Sequence, residues 1–341
     1  MQENWQELAN TFNPLESSVL ATIVNTQGAT YQKIGTMMLI NQQGKCSGLL
    51  SGGCLEADIA LHAANVLESG LTQVLHYDLS SDADLLWGLG LGCEGKIDIL
   101  LMPLTQQNNH LDFAGMLSQV LSGQSGYFFQ KIAENSSPQT WFCEDPYLAK
   151  NEKSITEQFS SNEVELIKIP VKPPLSLLIC GAGPDAAPVV KFAHELGWQV
   201  SLWDHRRQSL AQVVFDEVHS KRKVRAEHTQ AEEFSKFQAA VLMTHNLEND
   251  QEYLAKLTLS NIEYIGVLGP VARRDKLLTN IGLSYQQVSS KVFGPIGLDI
   301  GGRSPQAIAL SIVAQIQQQC VKFANQPAEK PEIIKLELVH G

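Results

Sequence analysis

Apolar positions recur along this chain with two different periods. Leu55, Ile59, Ala63, Val66 and Leu67 fall at helical spacing, with Glu56, Asp58, Asn65 and Glu68 between them. They predict a helix that runs to Ser69 and stops at Gly70. Val19, Leu20, Ile23 and Val24 form a β-branched apolar run, read as a buried strand over 18–25. Two more strands, 36–41 and 46–50, flank Gln42-Gln43-Gly44 as a hairpin. Further strands are expected at 73–78 and at 97–102, the latter ending at Pro103. Trp5, Leu8 and Phe12 mark a short helix near the start. Beyond residue 110 the pattern predicts a helix at 113–121, a strand pair at 127–132 and 140–143, a polar stretch at 149–162 and a last strand at 163–170.

The second half alternates strand and helix: 175–180, 186–196, 199–203, 239–244, 249–257, 264–268, 271–279, 291–293 and 304–323. Such alternation implies a parallel sheet with helices on both faces. Lys172-Pro173-Pro174 marks the boundary, because consecutive prolines exclude regular structure. The expected fold class is α/β. A mixed α+β domain spans 1–170, a Rossmann-like doubly wound domain spans 171–330, and a tail covers 331–341.

The totals narrow the function classes. A net charge of −11 argues against a nucleic-acid or anionic-membrane surface. No apolar run is long enough to span a bilayer, and no signal peptide is read at the start, so a cytoplasmic location is expected. The 6 cysteines are scattered without a C-x-x-C pair, which speaks against a disulfide framework and a zinc site.

Candidate chemistry gathers at glycine-rich turns. Ser51-Gly52-Gly53-Cys54-Leu55-Glu56 sets a thiol at the mouth of the predicted 55–69 helix. Free N–H groups of the first turn, and the positive end of the dipole, make that mouth suited to an anion. Gly88 to Gly95 surrounds a second cysteine, Cys93, next to Gly92, and Trp87 precedes it. In the second half, Gly181-Ala182-Gly183-Pro184-Asp185-Ala186 matches G-x-G-x-x-A between a strand and a helix. Asp204 ends the next strand, where an acid would hold a ribose hydroxyl. Pro184 removes one N–H from that turn, so a Rossmann-like scaffold holding another guest stands beside NAD binding. Thr244-His245 ends a further strand at the edge where ligands gather, and Ser304-Pro305 caps the last helix after Gly301-Gly302-Arg303.

Together these motifs resemble the xanthine dehydrogenase accessory factors, the XdhC/CoxI proteins. The resemblance rests on Gly28-Ala29-Thr30, Gly35-Thr36-Met37-Met38, Ser51 to Glu56, Gly90 to Gly95, Gly181 to Ala186, Asp204-His205-Arg206, Thr244-His245, Tyr264 to Gly269, Arg273-Arg274 and Gly294 to Leu298. It is weakest between about 106 and 168. Thr30-Tyr31, Lys33-Ile34, Glu94 and Pro184 depart from the family pattern.

The resemblance implies a chaperone, not chiefly a catalyst. Such a protein binds the molybdenum cofactor (molybdopterin), protects it while its terminal sulfur is installed, and passes it to a molybdenum hydroxylase apoenzyme. A cysteine desulfurase-type sulfur donor and a homodimer are implied with it. The cofactor-binding candidates are then Gly52, Gly53, Cys54, Glu56, Gly92, Cys93, Gly181, Gly183, Asp204 and His245. Cys54 is the candidate contact to the Mo/S centre, since a soft thiolate suits it; packing at a glycine turn is the plain alternative. Glu56 either orients a pterin N–H or complements the helix dipole, and Trp87 either stacks on the pterin or sits in a core. The competing reading is an NAD(P)-dependent oxidoreductase, with NAD(P) or another nucleotide at the Rossmann-like site. It lacks an evident acid–base constellation and leaves the glycine–cysteine half unexplained.

Overall fold

The computed structural model describes residues 5–79, 95–159, 163–324 and 330–337. The chain divides into two compact units: Met1–Pro174 with Glu329–Gly341, and Leu175–Ala328.

The first unit is built on an antiparallel five-stranded sheet. Its strands are β1 (Ser18–Gly28), β2 (Met37–Asn41), β3 (Cys46–Ser47), β4 (Gln73–Asp78) and β5 (Gly95–Leu104), in the spatial order β3-β2-β1-β5-β4. Both faces are covered, which explains the adjacent apolar residues Val19-Leu20-Ala21 and Ile23-Val24 of β1 and Ile99 to Met102 of β5. Val19, Ala21, Ile23, Ile99 and Leu101 meet α2 (Glu56–Ser69) through Leu55, Ile59, Ala63 and Val66. On the opposite face Leu20, Val24, Leu100 and Met102 pack with α1 (Trp5–Thr11), α3 (Phe113–Leu121) and a second sheet. That sheet has the order β15-β8-β6-β7, from β6 (Gly126–Lys131), β7 (Thr140–Cys143), β8 (Glu163–Val171) and β15 (Glu332–Glu337). Its far side is closed by α4 (Glu152–Gln158) through Ile155 against Phe129, Leu166 and Leu336.

Here the structure departs from the sequence reading. The expected tail at 331–341 contains β15, which pairs antiparallel with β8 from Lys168↔Glu332 to Glu163↔Glu337. Its alternation, Ile334 and Leu336 inward and Lys335 outward, is too short to stand out so far from the sheet it joins. The polar stretch 149–162 likewise contains α4, started by the Asn151 side chain accepting from the Ser154 N–H at 3.2 Å. β8 runs through Pro170 to Val171, one residue beyond the expected strand, and ends just ahead of Lys172-Pro173-Pro174.

The second unit is a parallel sheet in the order β11-β10-β9-β12-β13-β14. The strands are β9 (Ser176–Cys180), β10 (Gln199–Asp204), β11 (Ser220–Lys223), β12 (Ala239–Leu242), β13 (Tyr264–Val267) and β14 (Val292–Phe293). Counted within the unit the order is third-second-first-fourth-fifth-sixth, the doubly wound arrangement of dinucleotide-binding folds. Leu177 and Ile179 face α5 (Ala186–Glu195) and α10 (Pro305–Ala324). Leu178 and Cys180 face α7 (Leu247–Leu259) and α8 (Val271–Asn280). Short α6 (Arg207–Leu210) and α9 (Tyr285–Val288) complete the unit. Among the described residues no helix is long and apolar enough to cross a membrane.

Removing residues 329–341 strips β8 of its neighbour and leaves a hydrogen-bonding edge bare over apolar Leu166. The truncated chain is expected to elute as larger species in gel filtration. Monodisperse elution with unchanged thermal unfolding would refute the structural role of β15.

Candidate functional site

The loop from Gly48 to Leu55 is held by the first residue of the helix that follows it. Glu56 turns back, and its Oε1 accepts from the N–H groups of Leu50 at 3.0 Å and Ser51 at 2.8 Å. The Ser51 hydroxyl donates to Glu56 Oε2 at 2.5 Å and accepts from the Leu55 N–H at 2.8 Å. Burial alone pushes the Glu56 carboxyl up. The Ser51 hydroxyl and the Ser51 and Leu50 amides outweigh it and hold the group below the ordinary glutamate value. Glu56 thus positions the loop through both of its oxygens.

This clamp leaves a short turn projecting. Gly52 and Gly53 have φ of 78° and 101°, a region that L side chains avoid. Nothing lies within 4 Å of a Cβ built on Gly53, so the backbone angle, not crowding, demands glycine there. Among the described residues no acceptor takes the N–H groups of Gly52, Gly53 or Cys54. The sequence placed the free donors in the first helical turn; the structure puts these three on the glycine turn just ahead of it. Cys54 itself is half-buried and unpaired, its thiol beside the Leu55–Ile59 cluster. Burial and the Glu56 carboxylate push the neighbouring Cys46 thiol up, which keeps it protonated.

The turn after β1 meets this loop through Tyr31, and Gly95 meets that turn in its own right. The exposed Tyr31 ring lies over Gly52, 3.3 Å from where a Cβ would stand. Gly95 pairs with Gly28, and a Cβ on it would sit 2.5 Å from the Ala29 carbonyl oxygen. The end of the second glycine run is therefore next to the turn after β1. Gly92, Cys93 and Trp87 lie outside the described residues. Tyr31 entered the sequence reading only as a departure from a family pattern; an exposed loop tyrosine carries no signal of its own.

In the second unit the fingerprint residues converge at the carboxyl edge of the sheet, where β9 and β12 lead in opposite directions. Gly181, φ 118°, runs so close to Met243 that a Cβ would strike its carbonyl oxygen. Asp204 stands at the end of β10 as expected, but its carboxylate is spent. Oδ2 accepts from the Ala182 N–H and from Arg206 Nη2, each at 2.7 Å, and Oδ1 accepts from the Arg206 N–H at 2.7 Å and Nε at 3.0 Å. Burial alone raises its pKa. The Arg206 guanidinium and the two amides outweigh that and hold the carboxyl below the ordinary aspartate range.

Asp185 occupies the N-cap of α5, where a pyrophosphate sits in dinucleotide folds. Its Oδ2 lies 2.9 Å from His245 Nε2, and its buried Oδ1 has no partner among the described residues. Gly183 makes room for both, since a Cβ there would be 2.6 Å from Asp185 Oδ1 and 3.5 Å from the His245 ring. With Pro184 lacking an N–H, the phosphate position is lined by a carboxylate and is one donor short. Behind His245, buried Asp250 accepts from the Thr244 hydroxyl at 2.6 Å and from Arg273 Nη2 at 2.7 Å. Arg274 donates to the Gly294 carbonyl at 2.6 Å and lies 3.6 Å from the Tyr285 ring centroid. A polar cavity of about 440 Å³ opens on the same edge between His205, Arg225, Asn246 and Asn249.

The two glycine-rich turns, one per unit, sit in an α/β protein whose second unit is a Rossmann domain. The XdhC Rossmann domain family matches residues 177–316, and the XdhC and CoxI family matches residues 15–78. A Bacillus subtilis (strain 168) protein described as a probable xanthine dehydrogenase subunit is 30% identical over 316 residues, spanning 89% of this chain and 93% of that protein. The molybdenum cofactor insertion chaperone PaoD of Escherichia coli (strain K12) is 21% identical over 305 residues, spanning 88% of this chain and 83% of its own. A crystal structure described as a xanthine dehydrogenase from Bacillus halodurans aligns with a TM-score of 0.76 at 28% identity, over 96% of this chain and 98% of that one. The chain belongs to the XdhC and CoxI family.

Because Glu56 is held below its ordinary value, its ionised form favours the folded loop. That contribution is complete above the ordinary value of about 4.3 and drains away as pH falls through the lower folded value. The protection of the Leu50 and Ser51 amides, taken relative to their intrinsic exchange rate at each pH, should therefore fall at the acid end. In Glu56→Gln the acid-dependent step should vanish, and an unchanged pH profile would refute the clamp. Asp204→Asn turns an amide N–H₂ toward Arg206, and should cost about 1–3 kcal/mol in urea unfolding. A change within error would mean that the carboxylate does not fix the Gly181–Gly183 turn.

Proposed function

We propose that this chain binds the molybdenum cofactor and delivers it to a molybdenum hydroxylase. The observation that carries the reading is the turn at Gly52–Cys54, where three N–H groups meet no acceptor among the described residues and a half-buried thiol stands beside them. A phosphate-bearing guest suits such amides at the head of a helix. A single soft sulfur suits a metal that its own dithiolene already chelates. Among the described residues no group of three His, Cys, Asp or Glu side chains is placed to hold a metal ion, so the metal would come with its cage and leave with it. The names of the Bacillus subtilis relative and of PaoD support the same reading.

Several finer points belong to the proposal. Cys54 contacts the Mo/S centre reversibly, and the guest keeps its place while a cysteine desulfurase-type donor installs the terminal sulfur. The chain acts as a homodimer in the cytoplasm. Cys93 and Gly92 remain candidates for the same guest. The chaperone reading is favoured over nicotinamide chemistry by the committed Asp204 and by the Asp185 carboxylate at the phosphate position.

Anaerobic incubation with molybdenum cofactor, followed by gel filtration and by metal and pterin analysis, tests this. The parent chain should retain both pterin and molybdenum, and a parallel titration should show no turnover of NADH. Cys54→Ala should bind about tenfold more weakly, roughly 1.4 kcal/mol, with unchanged circular dichroism. Equal binding and transfer by the variant would remove the thiolate from the mechanism. Failure of the parent to retain pterin would remove the chaperone function itself.

A further inference from the structure

The outer side of the four-stranded sheet carries a pocket of about 400 Å³, none of whose walls belongs to the loops around Cys54. Three lysines line it: Lys150 in the turn before α4, Lys168 within β8, and Lys330 just ahead of β15. Glu152 and Glu332 share the rim. Three lysines thus gather beside two glutamates, in a chain whose net charge is −11. A cluster of ammonium groups inside a strongly negative protein draws small anions that the rest of the surface repels.

Lys168 is the strongest pointer. Its side chain is only 9% exposed, on a strand flanked by β15 and β6. An ammonium so buried is costly unless its donors are met, and it carries three. Among the described residues it makes one hydrogen bond, to Glu332 Oε1 at 3.1 Å, and it lies 4.7 Å over the Tyr127 ring. Glu332 is 54% exposed, so nothing locks it over the lysine. Ile155, Pro170 and Leu336 supply an apolar wall beside the charged end.

We propose that this pocket binds a small organic anion, a carboxylate or phosphate carried on an apolar body. Lys168 anchors the head group, and Lys150 and Lys330 close on it from the rim. Glu332 is the built-in carboxylate that the guest displaces. The apolar body lies against Ile155, Pro170 and Leu336. The head group selects charge and the wall selects size, so inorganic phosphate alone is a poor guest.

Calorimetric titration of the full chain with phenyl phosphate, benzoate and inorganic phosphate tests the site. One of the two aryl anions should saturate at one per chain, about tenfold more tightly than inorganic phosphate, through the apolar wall. Which aryl anion binds better identifies the head group. Lys168→Met should weaken that binding about tenfold or more, while Lys168→Arg keeps it within a few-fold. Glu332→Gln should tighten it by removing the competing carboxylate. The double variant Lys150→Ala/Lys330→Ala, confined to exposed side chains, should weaken it even where Lys168→Met fails to fold. Absence of saturable binding by both aryl anions, unchanged affinity in the lysine variants, or weaker binding in Glu332→Gln would overturn the proposal.

Discussion

One interaction recurs at three turns among the described residues: a carboxylate on or at the end of a regular element holds the backbone N–H of a glycine-rich or exposed loop. Glu56 on α2 takes Leu50 and Ser51. Asp204 at the end of β10 takes Ala182, and Asp250 on α7 takes Thr244 at 3.3 Å. Amides in such loops have no ladder to join, and glycine adds conformational freedom that must be lost on folding. An ionised acceptor makes a stronger bond than a neutral one, and so fixes the loop at the cost of a buried charge. In two of the three cases an arginine, Arg206 or Arg273, then neutralises that charge. Loop geometry in both units therefore depends on these acids.

This arrangement changes the meaning of the fingerprint. In a dinucleotide fold the acid after the second strand and the helix mouth after the first are left open for ribose and pyrophosphate. Here the acid is engaged by Ala182 and Arg206, and the helix mouth carries the Asp185–His245 pair, with Asp185 Oδ1 unpartnered among the described residues. Sequence similarity across residues 177–316 is then similarity of a framework, and function has to be argued from what remains unsatisfied.

Much of the architecture was legible in the chain, because it rests on periodicity. Strands buried on both faces, such as β1 and β5, announce themselves by unbroken apolar runs, and α2 by its four-residue spacing. The strand–helix alternation after Pro174 led directly to the parallel sheet. What escaped was either short or relational. β15 offers two inward side chains and joins a strand more than 160 positions earlier, as the Lys168–Glu332 bond shows. At the site, glycine positions and the location of Asp204 could be read, since turn chemistry is local. That Glu56 and Asp204 face inward could not be read, because it depends on which amides happen to lack partners nearby. Tyr31 was silent for the same reason.

The return of β15 to the first sheet has a consequence for how the polypeptide comes into being. Strand β8 gains its outer neighbour only after the entire Rossmann unit has been translated. The parallel sheet, though second in sequence, has all its strands available by residue 293. The earlier-made half waits with an open edge, so on the ribosome the inserted unit is the first to be complete.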